Sequence, residues 1–126
     1  MIKKVSNQGT QISWMSNFYK KIVINTINPI IAFVYTNDLV MFLELEDDKS
    51  KLSIYNENGN LLKSVIDNEQ FQIGSISTEL NNSKLCIVIY EYNDNPYCYY
   101  YDKLTNNFKA AHPPYWQNIT NFILLL

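Results

Sequence analysis

Glycine is scarce in this chain, with three residues in 126. No P-loop, no Gly-x-Gly-x-x-Gly turn and no Gly-x-Ser-x-Gly elbow is present, which removes phosphate cradles and elbow-type hydrolases from the possible functions. Histidine is scarcer still: His112 stands alone beside Pro113, and no Cys or His pair has the spacing of metal ligands. The chain is therefore expected to be non-enzymatic, with no cofactor and no metal. Extended lysine clusters are also missing and the formal net charge is −2, which argues against nucleic acid and anionic membranes as partners. The longest apolar runs, residues 29–35 and 122–126, fall far short of the roughly 20 residues of a membrane span. Met1-Ile2-Lys3-Lys4 opens like a secretory leader, but Val5 to Gln11 is polar where an apolar stretch would be needed. The reading is an unexported, cytoplasmic protein of a reducing compartment, its two cysteines unbridged.

Tyrosine is what the chain has in excess, with ten residues. The ring favours strands and recognition surfaces alike, being large, rigid and polar at its tip. Hydrophobic residues at 47% and charged residues at 17% fit one folded domain spanning 1–126.

Val5 to Gln11 reads as a flexible lead-in or a short edge strand. Trp14, Phe18 and Ile22 lie four apart, as do Met15 and Tyr19, and Ser13 suits an N-cap, so a short amphipathic helix is expected there. The rival reading makes Lys20 to Ile27 a strand, because Ile22, Val23, Ile24 and Thr26 are β-branched. After the break at Asn28-Pro29, strands are expected at Ile30 to Tyr35, Leu39 to Glu46, Lys51 to Asn56, Asn60 to Ile66 and Phe71 to Ser77, separated by Asn-, Asp- and Gly-rich turns. Lys84 to Lys109 reads as a hairpin around Asn93-Asp94-Asn95-Pro96, and Asn106 and Asn107 begin a last short strand to Ala110. His112-Pro113-Pro114 marks a boundary, and the apolar tail to Leu126 is expected to dock on the core.

An internal echo runs through these elements. At an offset of 46 positions Leu39 matches Leu85, Asp48 matches Asp94, Tyr55 matches Tyr101, Asn60 matches Asn106 and Lys63 matches Lys109. A meander with this period resembles a β-propeller blade, whose repeat is roughly 40 to 50 residues. Two or three units are too few for a closed ring of at least about four blades. The expected fold is thus mainly β: an antiparallel meander sheet or sandwich of two blade-like repeats of hairpins, 27–66 and 73–112, with one short N-terminal helix.

With a loop at residues 93–96, Tyr92 would face Tyr97, Tyr90 would face Tyr99 and Val88 would face Tyr101, gathering the tyrosines on one face and placing Cys86 and Cys98 on opposite faces. In the first repeat, Glu46 would pair with Lys51 and Glu44 with Ser53, leaving Met41, Leu43, Leu45, Leu52 and Ile54 as the core side. Carried across the offset, Ile87, Ile89, Cys98 and Tyr100 become core, whereas Tyr90, Tyr92, Tyr97 and Tyr99 face solvent. Those four tyrosines, beside the acidic residues Glu44, Glu46, Asp47 and Asp48, form the expected partner-binding surface. The expected function is a bacterial immunity or inhibitor protein that occludes a basic toxin domain such as a nuclease. Two alternatives are a small-ligand or glycan-binding β domain lined by Trp14, Trp116 and the tyrosines, and a homo-oligomeric structural subunit.

Overall fold

The computed structural model describes residues 1–79, 83–91 and 96–111. Eleven strands form three antiparallel sheets. The N-terminal sheet has three strands, β1 (Lys3–Asn7), β2 (Gln11–Met15) and β3 (Lys21–Asn25), in sequence order. The central sheet runs β4 (Ile30–Tyr35), β5 (Leu39–Glu46), β6 (Lys49–Asn56) and β7 (Leu61–Ile66), again in order. The C-terminal sheet comprises β8 (Phe71–Thr78), β9 (Leu85–Glu91), β10 (Pro96–Asp102) and β11 (Asn107–Ala110). No helix occurs among the described residues, so none there is long and apolar enough to cross a membrane.

The expected N-terminal helix is replaced by the β2–β3 hairpin. Ile12 and Trp14 alternate inward along β2 and Ile22 faces them from β3, while Phe18 and Tyr19 lie in the turn at 86% and 82% exposure. The four-residue spacing of Trp14, Phe18 and Ile22 thus links two strand positions to a turn residue. The β-branched run Ile22-Val23-Ile24 and the burial of Trp14 decide for strand.

The sheets stack face to face with the central one in the middle. Along β5, Leu39, Met41 and Leu43 join Leu52 and Ile54 of β6 in a core shared with Ile73, Leu85, Ile87 and Tyr101 of the C-terminal sheet. The alternate residues Val40 and Phe42, with Ile30, pack against Ile2, Ile12, Trp14 and Ile22 on the other side. Tyr55 stacks on Phe42, ring centroids 5.6 Å apart, and lies 6.5 Å from Trp14. The face of β5 and β6 expected to be open to solvent is therefore covered along its apolar half. The pairing is also displaced by two residues from expectation: Glu46 faces Lys49 and Glu44 faces Lys51.

Two glycines stand where a side chain would not fit. Gly59, in the β6–β7 turn, has φ +86°, and a Cβ there would lie 2.7 Å from Ile22 Cγ2. Gly74, where the β8 ladder shifts register, lies under the ring of Tyr90; a Cβ would meet that ring at 2.2 Å. Asp47 and Asp48 both take left-handed φ, 48° and 67°, forming the two-residue β5–β6 turn.

Each fully buried aliphatic side chain contributes on the order of 1.5–3 kcal/mol. Met41→Ala should lower the unfolding free energy in urea by about 2–5 kcal/mol, because Met41 is wholly buried between two sheets. Leu104→Ala, at a position 96% exposed in the β10–β11 turn, should change it by less than about 0.5 kcal/mol.

Candidate functional site

The β9–β10 ladder pairs Tyr90 with Pro96, Ile89 with Tyr97, Val88 with Cys98, Ile87 with Tyr99 and Cys86 with Tyr100. This register differs from the expected one by three residues, and an odd shift exchanges the faces of one strand relative to the other. Tyr97 and Tyr99 therefore share a face with Ile87 and Ile89, toward the central sheet, whereas Tyr90 lies on the opposite face with Cys86, Val88, Cys98 and Tyr100. Tyr99 is half-buried against the core and donates its hydroxyl to Glu91; burial first, then Glu91 and Tyr97, hold its phenol above the ordinary tyrosine range. The single tyrosine surface is thus replaced by two separate faces. Tyr92, His112, Trp116 and the apolar tail expected to dock on the core lie outside the described residues.

Cys86 and Cys98 fall on the same face and are both buried, at 2% and 1% exposure; neither forms a disulfide. Burial, then the neighbouring Cys86, pushes the Cys98 thiol up to about 11, so it stays protonated at neutral pH.

The acidic residues are gathered more fully than the sequence indicated. The β5–β6 turn, the β3–β4 connection and the β7–β8 connection all lie at one end of the stack. Leu45 N–H bonds the Pro29 carbonyl (3.0 Å), and Asp67 N–H bonds the Ser50 carbonyl (3.0 Å). Asp67 is occupied structurally, its carboxylate accepting from the N–H groups of Ser50 (2.9 Å) and Ile73 (2.8 Å). Exposed Asp47, Asp48, Glu69 and Glu91, with half-buried Glu46, complete this end, against Lys49 and Lys51. Glu69 and Glu91 were missed as members of the cluster because only the folded topology carries both to the end occupied by Asp47 and Asp48. Glu91, on the inward face of β9, stands at the sheet margin opposite Phe71.

Glu44 departs from expectation. It lies at 6% exposure in a cleft of about 220 Å³, because the five-residue strands of the N-terminal sheet are too short to cover the eight-residue strands β5 and β6. Asn28, Ser53, Tyr55 and Ser64 line the same cleft, with Ile27 and Leu61 exposed at its rim. Burial raises the Glu44 carboxyl above its ordinary range; Lys51 acts against this, Glu46 adds to it, and a hydrogen bond from the Asn28 backbone opposes it.

A second recess, about 390 Å³, lies at the opposite end between the central and C-terminal sheets. Its polar groups are engaged with one another: Lys103 with Asp38, the Tyr101 hydroxyl with Asn106, and the Asn106 amide with the Leu62 carbonyl. Trp14, expected to line a ligand pocket, is instead sealed between the N-terminal and central sheets and donates its indole N–H to the Glu57 carbonyl at 2.8 Å. Among the described residues, no group of three or more His, Cys, Asp or Glu side chains is placed to hold a metal ion. No protein family, curated protein or solved structure matches the chain.

Because the folded state holds the Glu44 proton more tightly than the unfolded chain does, its contribution is fully present below the unfolded carboxyl value. It is lost as pH rises through the folded one. Glu44→Gln removes that loss and keeps an acceptor for Asn28. The variant should be more stable than wild type at neutral pH, and the difference should close by about pH 3, as read from urea midpoints across pH.

Proposed function

We propose that this chain is a cytoplasmic, non-enzymatic protein-binding module of bacterial type, most concretely an immunity or inhibitor protein that occludes a basic toxin domain such as a nuclease. The observation supporting this reading is the acidic end of the stack, where Glu46, Asp47 and Asp48 of the β5–β6 hairpin meet Glu69 of the β7–β8 connection and Glu91 at the end of β9. Charges arranged this way steer a basic partner and raise its association rate. The two four-stranded sheets act as blade-like repeats, with β5 and β9, β6 and β10, and β7 and β11 recurring at or near the 46-residue offset. In this reading they are a rigid scaffold, and the tight Asp47-Asp48 turn presents its carboxylates in a fixed position.

The contact surface differs from the tyrosine face first expected. Of the tyrosines, Tyr90, at 36% exposure, is the anchor that remains on a separate face, while Tyr97 and Tyr99 serve the core side. Aliphatic contacts at the acidic end come from Ile27 and Ile66, exposed at 94% and 42%. A small-ligand role has two recesses in its favour, but the Glu44 cleft, about 220 Å³, falls below the roughly 300–1,000 Å³ of ordinary ligand pockets, and in the recess of about 390 Å³ Lys103, Asp38, Tyr101 and Asn106 are engaged in contacts within the fold.

The test is to sequence the genes beside this one and measure association with any basic domain they encode, by surface-immobilised kinetics at low and high salt. Charge reversal at Asp47→Lys with Asp48→Lys should slow association at low salt by about tenfold or more and leave the circular dichroism spectrum intact. An unchanged association rate would count against the acidic end as the working surface. Failure of the wild-type protein to bind that domain would remove the inhibitor reading itself.

A further inference from the structure

Along β5 the side chains on the face turned to the N-terminal sheet are Val40, Phe42 and Glu44, in that order. The first two pack with Ile12, Trp14 and Ile22; the third is a carboxylate where that cover stops. Glu44 is nonetheless as buried as Leu39 of the same strand. It belongs to none of the ion pairs among the described residues, although Lys51 stands across the ladder from it. An ionised carboxylate offers about four lone-pair sites, and the Asn28 N–H takes one of them. Ser53, at 3% exposure, lines the same cleft from β6, and its hydroxyl makes no hydrogen bond to the described residues. No fully enclosed polar side-chain atom among these residues lacks a partner, so the Ser53 hydroxyl opens into the cleft.

Resting on the partner-binding reading above, we propose that this cleft is a socket for one basic side chain of the partner, an arginine guanidinium seated on the Glu44 carboxylate with the Ser53 hydroxyl as a second acceptor. The cleft of about 220 Å³ has room for about seven water-sized groups at roughly 30 Å³ each, which suits a single long side chain and is too small for an ordinary ligand. The ionised groups lining it are Glu44, Glu46 and Lys51, which leave one negative charge in excess for a guanidinium to cancel. Burial holds the Glu44 carboxyl above its ordinary range despite Lys51 and Asn28, so the fold alone leaves this charge short of partners. A cation at hydrogen-bond distance supplies them. The walls fit the rest of the side chain: exposed Ile27 and Leu61 at the rim meet its methylene stem, and Tyr55, stacked on Phe42, is a rigid side. Arginine suits the site better than lysine, because a guanidinium is more weakly hydrated and matches a carboxylate with two parallel N–H donors. Asp47 and Asp48, on the adjoining β5–β6 turn, draw such a group toward the mouth.

Propylguanidinium chloride is the probe, with propylurea as its uncharged counterpart, each titrated into the full chain and followed by amide NMR. The guanidinium should shift the Asn28, Glu44 and Ser53 signals along a saturable curve, and propylurea should not. Glu44→Gln, at least as stable as wild type at neutral pH, should weaken that binding by about tenfold or more. Glu79→Gln, which removes the same charge beyond the far end of β8, should change it by less than about twofold. Equal weakening by the two variants, an equal response to propylurea, or a shift that does not saturate would overturn the socket. Since the probe needs no partner, the socket and the inhibitor reading fail separately. Saturable, Glu44-dependent binding of propylguanidinium by a chain that binds no basic domain would uphold the socket while the inhibitor reading falls. A basic domain bound equally well by wild type and by Glu44→Gln would overturn the socket and leave that reading in place.

Discussion

The two-sided burial of β5 is the constraint on which the rest of this molecule depends. Six consecutive residues, Leu39 to Glu44, are buried, and in an extended strand successive side chains point to opposite faces. Such a strand is stable only with an apolar layer on each side. The N-terminal hairpins supply one layer through Ile12, Trp14 and Ile22, and the C-terminal sheet supplies the other through Ile73, Leu85 and Ile87. Removing either layer would leave Val40 and Phe42, or Met41 and Leu43, facing water. The order of the sheets in the stack therefore follows their order in the sequence.

This arrangement also produces the polar end. Covering strands shorter than the strand they cover leave a ledge, and the residues of β5 and β6 that reach it are Glu44, Glu46, Lys49 and Lys51 in place of aliphatics. Glu44 sits where the apolar cover stops, which is why its carboxyl is raised while Asp47 and Asp48 stand in solvent. The connections that switch the chain between sheets pass this same end, bringing Asp67 and Glu69 to it. Asp67 is spent on backbone N–H groups and holds the connection in place, leaving Glu46, Asp47, Asp48, Glu69 and Glu91 to set the field.

Much of this was legible in the sequence. Alternation and turn residues located β4 and β5 to the residue and β6, β7 and β8 within two residues at each end, because apolar periodicity and Asn/Asp/Gly turns are local signals. The β2–β3 hairpin was not legible: a four-residue aromatic spacing imitates a helix, and the deciding contact, Trp14 under the central sheet, is non-local. Hairpin register failed for a related reason. Asn93 to Pro96 marks a turn, but whether Pro96 belongs to the loop or opens β10 depends on how Tyr99 and Tyr101 meet the core. A three-residue error there divided one imagined tyrosine surface between two real faces. The acidic residues of the β5–β6 hairpin were read more securely, because a displacement of two residues leaves each side chain on its original face.

The most direct test of the layered account is residue-resolved amide exchange on the intact protein. If β5 is clamped between two sheets, the amides of Val40 to Leu43 exchange only on global unfolding, and those of the edge strands β4 and β7 exchange faster. Protection in β5 no greater than in β4 or β7 would contradict a central sheet covered on both faces.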